Sequence, residues 1–188
     1  MDSNKNLLRI DLQMSLKRGS ITPSDITPIQ RILLTTDGMV TEILEAYLLE
    51  RIEVIKLFQG YSVLNYEIPS LKIEKECRVM QRKVLLCGRL SQKNHLYAES
   101  IIVPDRLDEK IRDSLLNTNK PIGLLILENR LETFREILEW GKEEAQDIAG
   151  YFNIKRNDFL IFRTYRVFSN RLPIMLITEK FAESGIKV

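Results

Sequence analysis

The C-terminal part of the chain constrains the fold most, because it contains two strand-like segments joined by a short polar turn. The segment 160–168 is rich in aromatic and β-branched residues, and the segment 174–181 is predominantly apolar. Pro173 stands just before the second segment, where a proline does not remove an interior ladder hydrogen bond. The pattern therefore predicts a β-hairpin around the Ser-Asn-Arg turn at 169–171.

The second strand of this hairpin carries one carboxylate among apolar side chains. Because side chains alternate between the faces of a strand, Glu179 shares a face with three large apolar residues: Met175, Ile177 and Phe181. Two interpretations follow. Either the strand frays at its end and Glu179 reaches water, or the carboxylate lies at the edge of an apolar cavity and needs a partner there.

A second charged residue lies in register with apolar neighbours near the middle of the chain. The segments 76–88 and 96–103 flank a polar turn at 91–95 and predict another hairpin. On the first strand Arg82 shares a face with Met80, Val84 and Leu86. It is either an arginine that snorkels over the rim of the sheet or a functional group that faces a ligand.

The remaining segments predict helices and shorter strands. Thr27 and Pro28 form an N-cap followed by proline at the first helical position, which predicts a helix to about residue 34. Asp37 is expected to cap a second helix, and Gly60 to separate two extended pieces. A third helix is expected after Pro104, over about 107–115, followed by a loop over 117–123.

The clearest helix is expected over 129–149. Asn129 and Glu132 resemble a capping box. An apolar stripe follows at near-helical spacing, made of Leu131, Phe134, Leu138, Ala145 and Ile148. The arginines and glutamates between these residues would then form a solvated face.

This element order predicts an α+β fold, because hairpin-like connections favour an antiparallel sheet with segregated helices. We expect a single domain over residues 1–188, since the length allows a sizeable core. Residues 1–30 are expected to form an N-terminal extension that docks on this core through apolar side chains such as Leu7, Leu8, Ile10 and Leu12.

Charge and hydropathy exclude several classes of partner. The net charge is +2 with interleaved signs, so the chain lacks the basic footprint of a nucleic-acid-binding protein. No apolar run approaches the length of a membrane span, and the start does not read as a signal peptide. We expect a cytoplasmic protein without nucleic-acid or membrane partners; a homo-oligomer is an open alternative to a monomer.

The cysteines and the single histidine restrict the chemistry. Cys77 and Cys87 would lie about 33 Å apart on one strand, beyond disulfide reach, and are expected to be reduced core thiols. His95 lies in the predicted turn and is expected to be a solvated surface residue. We therefore expect no metal site and no histidine-based triad, which leaves carboxylates, Arg, Lys, Tyr and the backbone for any chemistry.

Five short runs, taken in order, resemble the chorismate pyruvate-lyase family, also called 4-hydroxybenzoate synthases. They are Leu-Leu-Thr-Thr-Asp-Gly-Met at 33–39, Arg-Lys-Val-Leu-Leu-Cys at 82–87, Ala-Glu-Ser-Ile-Ile-Val-Pro at 98–104, Lys-Pro-Ile-Gly at 120–123 and Leu-Pro-Ile-Met-Leu-Ile-Thr-Glu at 172–179. The resemblance implies an antiparallel sheet of about six strands with helices packed on it and an enclosed ligand cavity.

The resemblance also implies an activity and a site. The activity would be the cofactor-free conversion of chorismate, a small-molecule substrate, into 4-hydroxybenzoate and pyruvate. Arg82 and Glu179 would be the catalytic residues, and Met39 and Ile122, with Gly123, would contact the substrate largely through backbone.

Chorismate is a dianion, which requires a second cation. Arg163 and Arg166 are the candidates, but their spacing places one on each face of the strand, so the choice between them stays open. The chain departs from the family pattern after Glu179, where Lys-Phe-Ala-Glu-Ser follows at 180–184. This departure affects the rim of the cavity and with it the substrate preference.

Two other functions remain open at this point. The effector-binding domains of GntR-type transcription regulators resemble the same fold and sense small molecules without chemistry. Such regulators carry a winged helix-turn-helix domain, for which the residues before position 33 are too few. The other alternative is a lyase that acts on a related enolpyruvyl or aromatic acid.

Overall fold

The computed structural model describes residues 21–118 and 120–185. They form six strands: β1 (Ile52–Val63), β2 (Arg78–Gly88), β3 (Asn94–Ile102), β4 (Phe134–Glu144), β5 (Phe159–Ser169) and β6 (Leu172–Ala182). They also form five α-helices: α1 (Pro28–Thr35), α2 (Val40–Leu48), α3 (Glu109–Asn117), α4 (Ile122–Glu128) and α5 (Ala149–Phe152). Short 3-10 turns occur at Pro23–Asp25, Pro69–Leu71, Pro104–Arg106 and Gln146–Ile148. None of the described helices is long and apolar enough to cross a membrane.

All six strands join one antiparallel sheet in the order β1-β2-β3-β6-β5-β4. The predicted α+β class and the antiparallel sheet are therefore confirmed. The C-terminal hairpin is β5–β6, and Asn170 and Arg171 at its turn both have positive φ. Positive φ at both central residues is typical of a type I′ turn, whose twist matches the right-handed twist of the flanking strands. The hairpin places β6 in the middle of the sheet, next to β3.

The helix expected over 129–149 is wrong, because most of this segment forms β4 at the edge of the sheet. A β-bulge between Ile137 and Glu139 shifts the alternation of side chains along the strand. The residues that face the interior are consequently Arg135, Ile137 and Trp140, whereas Phe134 and Leu138 of the expected apolar stripe are exposed. Pairing with β5 outweighs the local helical preference of the segment.

Several smaller expectations are also corrected. β1 runs without interruption through Gly60, and its irregularity is a bulge between Lys56 and Phe58. Asp37 does not cap α2, whose N-cap position is held by Met39 without a side-chain hydrogen bond. The loop expected over 117–123 ends in α4. By contrast, Thr27 and Pro28 begin α1 as predicted, with a capping box between Thr27 and Gln30.

Different helices and segments pack on the two faces of the sheet. We call the face that bears Arg82 and Glu179 the inner face. Two apolar clusters pack on it: one joins α1 and α2 to residues such as Leu86 and Phe181, and the other joins α3 and α4 to residues such as Met80 and Met175. The opposite face is covered in part by residues of the segment 64–73 and by α5.

The N-terminal extension is described only in part. Leu7, Leu8, Ile10 and Leu12, which were expected to dock on the core, lie outside the described residues. Within the described part, Ile21, Ile26 and Ile29 are buried in the cluster that contains α1 and α2.

His95 is buried, contrary to the expectation of a solvated turn residue, because β3 begins at Asn94 rather than at Leu96 and therefore includes it. The carboxylate of Glu50 lies 3.9 Å from His95 Nε2 and accepts the backbone N–H groups of Leu90 and Ser91 at 2.9 Å each. Burial lowers the pKa of His95, against an opposing effect of Glu50. Cys87 is buried and Cys77 is half-buried, and both are free thiols as predicted.

The buried histidine makes stability depend on pH. Below its ordinary pKa of 6.5 the unfolded chain binds a proton that the folded chain resists, so the free energy of unfolding falls as the pH decreases through this value. Replacing His95, the only histidine of the chain, by Gln removes this contribution. Urea unfolding between pH 8 and pH 5.5 should show a steeper loss in the wild type than in His95→Gln. Parallel pH profiles would contradict this assignment.

Candidate functional site

A cavity of about 80 Å³ lies between the inner face and the segments that cover it. Its floor comes from strand residues that include Val54, Val84, Ala98, Ser100, Val167 and Ile177. Its cover comes from residues 38–41, at the start of α2, and from residues 121–126, at the start of α4. The cavity therefore occupies the space between the two apolar clusters.

The register of the sheet places Arg82 and Glu179 on this floor. Arg82 pairs with Ser100, and Ala98, two residues before Ser100 on β3, pairs with Glu179. The two charged residues are thus two strands and two residues apart on the inner face. At about 4.8 Å per strand and about 3.3 Å per residue, their Cα atoms lie about 12 Å apart. Their side chains reach the cavity from different sides.

Arg82 is buried, with only 2% of its surface exposed, and it does not snorkel to the rim. Its Nη2 atom donates to the carbonyl of Lys120 at 3.0 Å. The other two nitrogens, Nε and Nη1, have no hydrogen-bond partner among the described residues. Burial lowers the pKa of Arg82. Unpaired donors of a buried guanidinium are costly, and a bound anion would satisfy them.

Glu179 is also buried and is held by two side chains of the neighbouring strand. Its Oε2 atom accepts a hydrogen bond from Arg163 Nε at 2.7 Å, and its Oε1 atom accepts one from the Tyr165 hydroxyl at 2.9 Å. Burial, followed by the charge of Glu179, raises the pKa of Tyr165, so its phenol is a protonated donor at neutral pH. The interpretation in which Glu179 frays into water is therefore wrong, and the carboxylate faces the cavity.

The two candidate arginines of β5 lie on opposite faces, as their spacing predicts. Arg163 lies on the inner face with 1% of its surface exposed, and its Nη1 atom donates to the carbonyl of Thr36 at 2.6 Å. Arg166 lies on the other face, where it binds Glu136 at 2.8 Å and the carbonyl of Ser70 at 2.9 Å. Neither arginine is among the residues that line the cavity, and the Nε and Nη1 atoms of Arg163 are bound by the protein itself.

The structure brings Met39, Ile122 and Gly123 together above the floor of the cavity. A Cβ atom added to Gly123 would lie 3.0 Å from Met39 Sδ, so the glycine allows the start of α4 to approach the segment before α2. The two covering segments thus meet over the cavity at this contact.

Sequence reasoning missed four polar residues of the cavity: Thr41, Ser100, Arg135 and Tyr165. The signal for Tyr165 was available, because it follows Arg163 by two residues on a strand and must share its face. The signal for Arg135 was hidden by the helical interpretation of its segment, which assigned it to a solvated face.

Comparison with known proteins identifies the family of this chain. Residues 34–186 match the model of a family described as chorismate pyruvate-lyase Rv2949c-like. The chain belongs to this family. A chorismate pyruvate-lyase of Mycobacterium leprae is 32% identical over 157 residues, which cover 82% of this chain and 74% of the relative.

Solved structures show how widely the fold of this family member is shared. The effector domain of PhnF from Mycobacterium smegmatis matches with a TM-score of 0.61 at 11% identity, covering 77% of this chain and 88% of that domain. A GntR-family transcriptional regulator from Bacillus cereus matches with a TM-score of 0.58 at 10% identity, covering 73% and 95%. At this identity the likeness shows the fold alone.

Removing one partner of the buried ion pair should destabilise the protein strongly. Arg163→Met leaves the Glu179 carboxylate without its charged partner, which should lower the free energy of unfolding by about 3 kcal/mol or more. The matched control is Arg166→Met, which removes a partly exposed pair on the same strand and should cost about 1 kcal/mol or less. Urea unfolding of both variants measures the difference. Equal losses would show that the buried Arg163–Glu179 pair contributes no more to stability than the partly exposed Arg166–Glu136 pair.

Proposed function

We propose that this protein is a cofactor-independent lyase that eliminates pyruvate from chorismate and forms 4-hydroxybenzoate. The observation that carries the proposal is the pair of unpaired nitrogens on buried Arg82, which face a cavity that also presents the Glu179 carboxylate. Membership in the chorismate pyruvate-lyase family supports the same conclusion. The cavity thus offers an anion site and a hydrogen-bond acceptor within one apolar enclosure.

The reaction needs little covalent chemistry from the protein. Chorismate loses the hydrogen on ring carbon C4, and the bond between C3 and the ether oxygen breaks, so the ring becomes aromatic. The electron pair leaves with the enolpyruvyl oxygen, and the proton is taken up at the methylene carbon to give pyruvate. The protein mainly holds the reactive conformer and stabilises the charge that develops.

The site residues suit these tasks. Arg82 would bind a carboxylate through its free donors, because a guanidinium pairs with carboxylates in a forked geometry. Glu179 would accept a hydrogen bond from the ring hydroxyl. Its orientation for this role is maintained by Arg163 and Tyr165, which leave further lone pairs on each carboxylate oxygen available.

The covering segments would orient the substrate and exclude water. Backbone groups at Met39 and Ile122 border the cavity, and the contact between Met39 and Gly123 joins the two segments. A fully enclosed cavity stays a prediction, and it implies that product leaves only when the segment 35–48 moves.

The main competing function is a small-molecule sensor without chemistry, which the shared fold of GntR-type regulators supports. A lyase that acts on a related enolpyruvyl or aromatic acid is the other candidate. Release of pyruvate marks either lyase, and the identity of the aromatic product separates the two. Saturable binding of an aromatic acid without pyruvate marks the sensor.

Arg82 provides the test of the proposed reaction. Dialysed protein incubated with chorismate should release equal amounts of 4-hydroxybenzoate and pyruvate, measured by chromatography, with and without a chelator. Arg82→Met keeps the bulk but removes the charge, so kcat/KM should fall by about 100-fold or more. Glu179→Gln should also lose most of its activity. Lys83→Met, next to Arg82 but on the opposite face, is the matched control and should retain turnover.

Two results would contradict the proposal. An Arg82→Met protein that folds normally and turns over chorismate at the wild-type rate would remove Arg82 from the site. Wild-type protein that binds chorismate or an aromatic acid, as shown by a thermal shift, but releases no pyruvate would assign the chain to the sensor class.

A further inference from the structure

Arg135 is the second cationic side chain that lines the cavity. It lies on β4 opposite Val167, so its side chain shares the inner face, and it is half-buried rather than enclosed. Its Nη1 atom donates to the carbonyl of Asp37, in the segment that leads to α2. No carboxylate pairs with Arg135 among the described residues. Most of its five donors are therefore available to a ligand.

The charges of the site leave one substrate carboxylate without a partner unless Arg135 is used. This step rests on the proposed function, in which the substrate is a dianion. Arg163 is neutralised by Glu179, and Lys56 donates its ammonium to the carbonyl of Thr118. Within the part of the chain that the structure describes, Arg82 and Arg135 are thus the cations that line the cavity.

The positions of the two arginines match the shape of such a substrate. Arg82 on β2 and Arg135 on β4 are four strands and two residues apart, or about 20 Å between Cα atoms, with Glu179 on the intervening strand β6. The ring hydroxyl and the ring carboxylate of chorismate point in opposite directions. With the hydroxyl on Glu179, the ring carboxylate points across β3 towards Arg82.

The enolpyruvyl group branches from the carbon next to the hydroxyl, and therefore starts on the Glu179 side of the ring. Arg135 lies on this side in the strand order, because β4 follows β5 outward from β6, and it stands two residues from Ile137, which pairs with Tyr165. We propose that Arg135 binds the enolpyruvyl carboxylate of the substrate, while Arg82 binds the ring carboxylate. Arg135 is then a specificity-determining residue that distinguishes the dianionic substrate from the monoanionic product.

The half-buried position of Arg135 has a further consequence. An unpaired guanidinium at the rim attracts an anion from solution, and this attraction is screened by salt. Because Arg135 also holds the carbonyl of Asp37, the enolpyruvyl carboxylate would be bound next to the segment that covers the cavity.

Comparing substrate with product separates this binding role from a structural one. Arg135→Gln should raise KM for chorismate by about 10- to 100-fold, the size expected for one lost charged hydrogen-bonded contact. The inhibition constant of 4-hydroxybenzoate, which lacks the enolpyruvyl carboxylate, should stay within about twofold. Arg135→Lys should recover part of the loss. Arg166→Gln, on the opposite face, is the matched control and should leave both constants unchanged.

The outcomes are distinct. A KM that Arg135→Gln leaves unchanged overturns the inference. A parallel rise in KM and in the 4-hydroxybenzoate constant also overturns it, because this pattern indicates that Arg135 only holds the covering segment. If the wild type does not convert chorismate, the proposed function fails instead. Calorimetric binding of chorismate and 4-hydroxybenzoate to the same proteins then tests Arg135, with the same selective loss expected for chorismate.

Discussion

The buried ion pair between Arg163 and Glu179 is the interaction on which the site depends. The two residues pair directly across β5 and β6, in a sheet face that is mostly apolar. Two charges in such a place are tolerated only when each compensates the other and their remaining hydrogen-bonding atoms find partners. Tyr165 and the carbonyl of Thr36 supply these partners, so one network joins the C-terminal hairpin to the segment before α2.

The cavity lies between two apolar clusters on the inner face, next to the polar network of Arg163, Glu179 and Tyr165. The helices α1 and α2 pack in one cluster, and α3 and α4 pack in the other. Protein interiors usually pack to high density and satisfy their polar groups internally. Here two of the three guanidinium nitrogens of Arg82 remain unsatisfied beside a cavity with mostly apolar walls, and this combination is typical of a ligand site.

The fold itself does not decide between catalysis and sensing. Regulators with about one tenth of their residues identical share the same architecture, while the family of this chain carries the name of a lyase. Function is decided by the charged side chains that the sheet presents to the cavity. In this protein those are Arg82, Glu179 and Arg135, which lie on three different strands.

The sequence by itself determined the strands β2, β5 and β6 and the faces of Arg82, Arg163 and Glu179, because alternation along a strand is a local property. Only the tertiary structure decided that the segment of Arg135 is a strand. There, a bulge interrupts the alternation by which a strand is recognised, and pairing with β5 supplies the stabilisation that the local sequence lacks. Burial of His95 and the hydrogen-bond partners of Arg163 and Arg166 were decided in the same way, since both depend on neighbours that are distant in the chain.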